Sequence, residues 1–195
     1  MLLVVSMCLT VYARSLTFCR LRRSKEDLPE TTVASFESAA RDLAALCEQY
    51  GWEVVLLSCW GYGAEGKPRP GLTPMSDGQV MKAHRRMATL LQREGHTCKI
   101  APAGAAKARC ELLLRKASLP AVPLLAKDNE HPSIALTHMM ARCVVGAVYG
   151  RTAAAAAPLA ETEVKLNVMQ RQMLNIAVDE ALAAEEKEAV KQERH

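Results

Sequence analysis

The spacing of apolar residues changes period several times along this 195-residue chain, and each change predicts an element. Leu3, Val4 and Val5 run together, as in a strand buried on both faces. Leu9, Val11 and Ala13 then alternate with Thr10, Tyr12 and Arg14, and Leu16, Phe18 and Leu21 alternate with Thr17 and Arg20. Both stretches read as half-exposed strands. From Thr31 or Thr32, either able to cap a helix, the period lengthens. Val33, Phe36, Ala40, Leu43, Leu46 and Cys47 recur at helical spacing as far as Gln49. Tyr50-Gly51 stops that helix, and the unbroken run Glu53 to Cys59 predicts a central, parallel strand.

Trp60 to Pro74 holds four glycines and three prolines and reads as a loop. Ser76 or Asp77 caps the next helix, Gly78 to Arg93, with Val80, Met87, Leu90 and Leu91 inward and Gly95 at its end. Thr97 to Ala101 is a short strand closed by Pro102, and Lys107 to Ala117 a small helix closed by Leu119-Pro120. A further helix runs from Ser133 to Tyr149. Residues 152–160 read as an alanine/proline linker, and a last helix occupies 161–195 with Leu166, Met169, Met173 and Ile176 at heptad-like spacing. The order predicts an α/β fold: a mixed sheet flanked by helices over residues 1–151, then a C-terminal helical extension.

Charge adds an asymmetry to that outline. The net +4 divides into −3 over residues 161–195 and +7 over the rest, and residues 1–25 contain five bases and no acid. A basic body with an acidic tail fits a nucleic-acid partner, although a solvated surface has the same composition. Seven cysteines, an odd number without a CxxC pair, argue against a zinc site and for a reducing compartment. No apolar run reaches the roughly 20 residues that span a bilayer.

Residues 1–25 admit three readings. Residues 2–12 are apolar and Val11-Tyr12-Ala13 is like a secretory cleavage site, but no basic segment precedes them. The arginine-rich, acid-free composition also suits a mitochondrial targeting segment. The alternation described above suits strands, and an uncleaved address can lie within them.

Five segments then fall in a telling order: Leu3-Val4-Val5-Ser6; Val54-Val55-Leu56-Leu57-Ser58 before a Gly/Pro-rich loop; Gly95 to Pro102; Lys107 to Pro120; and Asp128-Asn-Glu-His131 with the helix ending Gly146-Ala-Val-Tyr-Gly-Arg151. Together they resemble the RuvC-type Holliday-junction resolvases of the RNase H-like superfamily, over residues 3–151. The resemblance rests on the ordered set, not on any one motif. It implies an RNase H-like mixed sheet and four positions at which such nucleases place metal-binding carboxylates.

Those positions fall here on Ser6, Ser58 (or Cys59), Glu130 (or Asp128) and Ala135. Two-metal phosphodiester hydrolysis needs oxygen-rich, mostly carboxylate ligands converging from separate elements. Three of the four positions are neutral, residues 1–25 offer no acid, and neither does Ser133 to Arg151. The resemblance thus implies a pseudoenzyme without metal or cofactor. Other catalytic patterns are weaker: Cys59 has no identifiable histidine partner, His131 and His138 read as ordinary hydrogen-bonded residues, and Gly61-Tyr-Gly63 with Gly66 lacks the Lys-Ser/Thr ending of a phosphate loop.

A degenerate resolvase-like body can still bind folded nucleic acid through phosphates. Arg20, Arg22, Arg23, Lys67, Arg69, Lys82, Arg85 and Arg86 are the expected contacts, and Leu166, Met169, Met173 and Ile176 the expected seam for a protein partner. The expectation is an RNA-associated structural subunit of a large ribonucleoprotein, by analogy a mitochondrial ribosome, with ribosomal RNA and neighbouring subunits as partners and no small-molecule substrate. The alternatives are an active magnesium-dependent nuclease and a protein-only accessory subunit of a mitochondrial complex.

Overall fold

The computed structural model describes residues 2–5, 28–61, 76–127, 131–156 and 165–192. Helix accounts for 69% of them, with a small parallel sheet, so the fold is α/β only loosely. The described elements are β1 (Leu2–Val5), α1 (Leu28–Gln49), β2 (Glu53–Leu57), α2 (Asp77–Arg93), β3 (Cys98–Ala101), α3 (Ala103–Lys116), α4 (Ile134–Tyr149), α5 (Arg151–Ala156) and α6 (Val168–Gln192). The half-exposed strands expected over 9–21 lie outside the described residues. Two compact units, Met1–Lys99 and Ile100–His195, divide the chain.

In the first unit β1 and β2 pair in parallel, with Leu2 opposite Glu53 and Val5 opposite Leu56. The sheet order is β1-β2-β3. Parallel neighbours need a crossover connection, which α1 supplies. Helix α1 begins at Leu28, ahead of the expected threonine caps. Pro29 suits that first turn, where its missing N–H has no helical partner to lose. Ala40, Ala44 and Cys47 form the buried side of α1, while Leu46 is left 42% exposed, against expectation. Val54 to Leu57 are all buried, as a central strand requires. On α2, Val80, Met81, Met87, Ala88 and Leu91 are buried. Ser76 caps this helix through a reciprocal box with Gln79.

Two helices of this unit end alike. Trp52 N–H donates to Cys47 O (2.8 Å) and Gly51 N–H to Glu48 O; His96 N–H donates to Leu91 O and Gly95 N–H to Gln92 O. These are Schellman turns, and Gly51 (φ 64°) and Gly95 (φ 91°) take the left-handed position that each requires.

The second unit is helical, and small residues set its spacing. Ala103, Ala106, Cys110 and Leu114 on α3, with Leu174, Ala177, Val178, Ala181 and Leu182 on α6, are buried. The expected linker is helical over Arg151–Ala156, and residues 157–164 lie outside the described set. Nor is the last helix a free arm, because α6 packs on α3, α4 and α5. It starts at Val168, where Asn167 and Gln170 exchange backbone-to-side-chain hydrogen bonds of 2.8 and 3.0 Å. The residues expected to form a partner seam divide between the packed and the exposed sides of this helix. Leu166 is buried and Met173 half-buried, but Met169 (48%) and Ile176 (39%) are exposed.

Burial dominates the cysteines too. Cys98, Cys110 and Cys143 are buried, and desolvation pushes each thiol up to about 12. Arg142 is a lone base in an apolar helix and is 3% exposed. Its Nε donates to Ala154 O (2.8 Å), Nη1 to Asn175 Oδ1, and Nη2 lies 3.5 Å from Asp179 Oδ1. One guanidinium thereby joins α4, α5 and α6. All three of its nitrogens find partners inside this unit, at a site where an unpaired charge would be prohibitive.

Candidate functional site

Strand ends on one edge of a parallel sheet are where α/β proteins place their chemistry. The register that sets Val5 opposite Leu56 brings the ends of β1 and β2 to the same edge. Ser6, next after Val5, lies outside the described residues. Ser58 follows β2 and is wholly buried, and its Oγ makes no hydrogen bond. Cys59 and Trp60 beside it are buried as well. Gly61 N–H donates to Asp77 Oδ1 at 2.6 Å, which ties the start of the loop to the first turn of α2. The described end of β2 therefore carries a neutral, buried side chain. Ala135 is buried in α4, and Glu130 lies outside the described residues. Among the described residues no three His, Cys, Asp or Glu side chains converge in a way that holds a metal ion.

The expected basic contacts divide. Arg20, Arg22, Arg23, Lys67 and Arg69 lie outside the described residues. Lys82 and Arg86 are one turn apart on the exposed side of α2, while Arg85 is half-buried. Arg86 pairs with Glu37 at 3.2 Å yet keeps 75% of its side chain exposed, so its charge is available to an outside phosphate.

A second feature is not signalled by any motif. At the opposite edge of β2, residues of the α1–β2 and α2–β3 turns line a cleft of about 310 Å³. Glu48, Trp52, Glu53 and His96 are among its walls. His96 Nδ1 lies 3.2 Å from Glu48 Oε2, and Lys99 Nζ donates to Glu53 Oε2 at 2.8 Å. Tyr50 stacks near Trp52 with ring centroids 5.1 Å apart. The sequence signal was slight: two aromatics flanking a Gly at a helix end, otherwise read only as a stop.

Comparison with protein-family models, curated proteins and solved structures found no match for this chain. No described helix is long and apolar enough to cross a membrane.

Proposed function

We propose that the chain is a non-catalytic RuvC/RNase H-like protein that serves as a structural, RNA-associated subunit of a large ribonucleoprotein, of the kind represented by a mitochondrial ribosome. The observation that carries this reading is the end of β2. Ser58 is uncharged, inaccessible and unpartnered at a strand end where the resembled nucleases need an exposed acid. The parallel pairing of β1 with β2, with α1 in the connection between them, is compatible with this reading. A body that has lost metal ligands but kept exposed bases on α2 favours binding over cutting. Phosphate contacts from Lys82 and Arg86 supply affinity without sequence preference.

The test is equilibrium binding of the full chain to a structured RNA across a salt series. The log of affinity should fall linearly with the log of salt, and Lys82→Glu with Arg86→Glu should lower the slope by about one for each phosphate no longer neutralised. In the native complex, co-sedimentation with large RNA should vanish after ribonuclease treatment. Co-sedimentation that survives ribonuclease, together with absent RNA affinity, would replace this reading with a protein-only accessory subunit.

A further inference from the structure

The apolar stripe of α6 nearly repeats itself one turn along. Leu174, Ala177, Val178, Ala181 and Leu182 are buried. The residues four places earlier are Gln170, Met173, Leu174, Ala177 and Val178. Gln170 is itself buried and Met173 half-buried. Sliding α6 by one turn, about 6 Å, so that each residue takes the place of the one four later, keeps an apolar or already buried side chain at each of these positions. Hydrophobic burial is non-directional and separates these two frames poorly. The opposite slide is excluded by burial alone, because it brings Glu185 and Glu186 to the places of Ala181 and Leu182.

Charge separates the two frames sharply. Buried Arg142 donates from Nε to Ala154 O and from Nη1 to Asn175 Oδ1, and its Nη2 lies 3.5 Å from Asp179 Oδ1. Asn175 and Asp179 stand one turn apart on α6. The slide carries Asn175 to the place of Asp179 and Arg171 to the place of Asn175. Two guanidiniums then meet inside the unit, where water screens their repulsion little. The same slide sets Ile176 in place of Glu180 opposite Arg109, and Leu182 in place of Glu186 opposite Arg151, so both ion pairs are lost. It also replaces Leu182 with the smaller Val178 in the space left by Gly146.

We propose that Arg142 is the register key of α6: it accepts the helix in the frame that presents Asn175 and Asp179 and rejects the frame one turn away, which presents Arg171. A buried charge here supplies specificity against a competing packing, not net stability. The key thereby fixes where the exposed Met169 and Ile176 stand on the surface of this unit. It is independent of RNA binding.

The test uses the full chain, isotope-labelled, and NMR. The α-protons of Gly146 report the frame, because Leu182 lies against that position. The unaltered chain should show one set of α6 amide signals, with cross-peaks from Gly146 to the Leu182 methyls. Arg142→Met keeps the length of the side chain and removes its charge. A second set of α6 signals is expected there, at about a tenth of the total or more, with Gly146 cross-peaks to Val178 in place of Leu182. Arg171→Glu leaves Arg142 untouched and turns repulsion into attraction in the slid frame, so the same second set should grow. Arg142→Lys keeps the charge and should keep one set. A single set with Leu182 cross-peaks in Arg171→Glu overturns the assignment, whether or not Arg142→Met folds. Broadened α6 signals without a Val178 cross-peak overturn it too, since the helix is then loosened and not slid. A second set in Arg142→Lys as large as in Arg142→Met would show that charge is not the selector.

Discussion

Gly146 on α4 and Leu182 on α6 approach so closely that a Cβ at position 146 would overlap Leu182 Cδ1, with Leu182 Cδ2 at 3.0 Å and Ala154 Cβ at 3.2 Å. Leu182 is 3% exposed and has little room to retreat. Glycine is here a packing requirement, although it lowers helix propensity. Gly146→Ala gains about 1 kcal/mol of propensity but incurs about 1–3 kcal/mol of overpacking. A net loss of about 1 kcal/mol is expected in denaturant unfolding. In a double-mutant cycle, Gly146→Ala should become neutral or favourable once Leu182→Ala has opened the space.

Helix α3 ends in a Schellman turn whose left-handed residue is Ser118 (φ 53°), with Leu119 N–H donating to Leu114 O and Ser118 N–H to Arg115 O. A side chain is strained there, and glycine is not. Ser118→Gly should raise stability by about 1 kcal/mol, read as a higher denaturation midpoint with unchanged slope. The same change at an ordinary helical position would lower it.

Ser58 Oγ is buried without a partner, and leaving a hydroxyl so costs about 1–3 kcal/mol. Ser58→Ala removes only that hydroxyl, a single heavy atom. Stability should hold or rise by up to about 1 kcal/mol, and RNA affinity should not change. A large loss of binding after this change would show that the strand end works directly on a ligand.

His138 on α4 has its pKa lowered below 6.5, first by burial and then by the charge of Arg142. The unfolded chain therefore binds this proton more readily than the folded one. The contribution to stability is intact above pH 6.5 and is lost as pH falls through the folded pKa. Melting temperature should drop between about pH 6.5 and the folded value, and His138→Gln should flatten that part of the profile. Glu180 has its pKa lowered by the hydrogen bond from Arg109, then shifted by smaller effects, so its contribution is present above 4.5 and fades as pH falls below it. The two groups titrate in different windows and are separable by variant.

Elements with a strong period were legible in the sequence, and elements made of alanine were not. Helix α2 showed both its cap and its apolar face, and β2 its unbroken Val-Val-Leu-Leu run. Helix α5 was hidden in an Arg-Thr-Ala-Ala-Ala-Ala stretch before Pro158, where hydropathy has no period and proline suggests a linker. On α6 the large residues Met169 and Ile176, expected to meet a partner, are exposed. The stripe buried within the unit runs through Gln170, Leu174, Ala177, Val178 and Ala181, where alanine and glutamine give little signal. Small residues let the helices approach closely, which matters more to that packing than their hydropathy.

Of the site, Ser58 was legible as a neutral strand end, and Lys82, Arg85 and Arg86 as bases on the second helix. Burial of Ser58 was not, because it depends on what covers the edge of the sheet. The cleft was illegible for a related reason. Glu48 and Glu53 stand far from His96 along the chain, and they meet it only because the α1–β2 and α2–β3 turns lie side by side.

Binding without cutting is tested most directly by one incubation. The full chain is mixed with an end-labelled four-way DNA junction and, in parallel, a structured RNA, with magnesium or manganese present, and both complex and fragments are resolved on gels. RNA retarded in a salt-sensitive complex, with both substrates intact at every time, is the expected result. Divalent-dependent incision at fixed positions of the junction would contradict it and make the chain a nuclease.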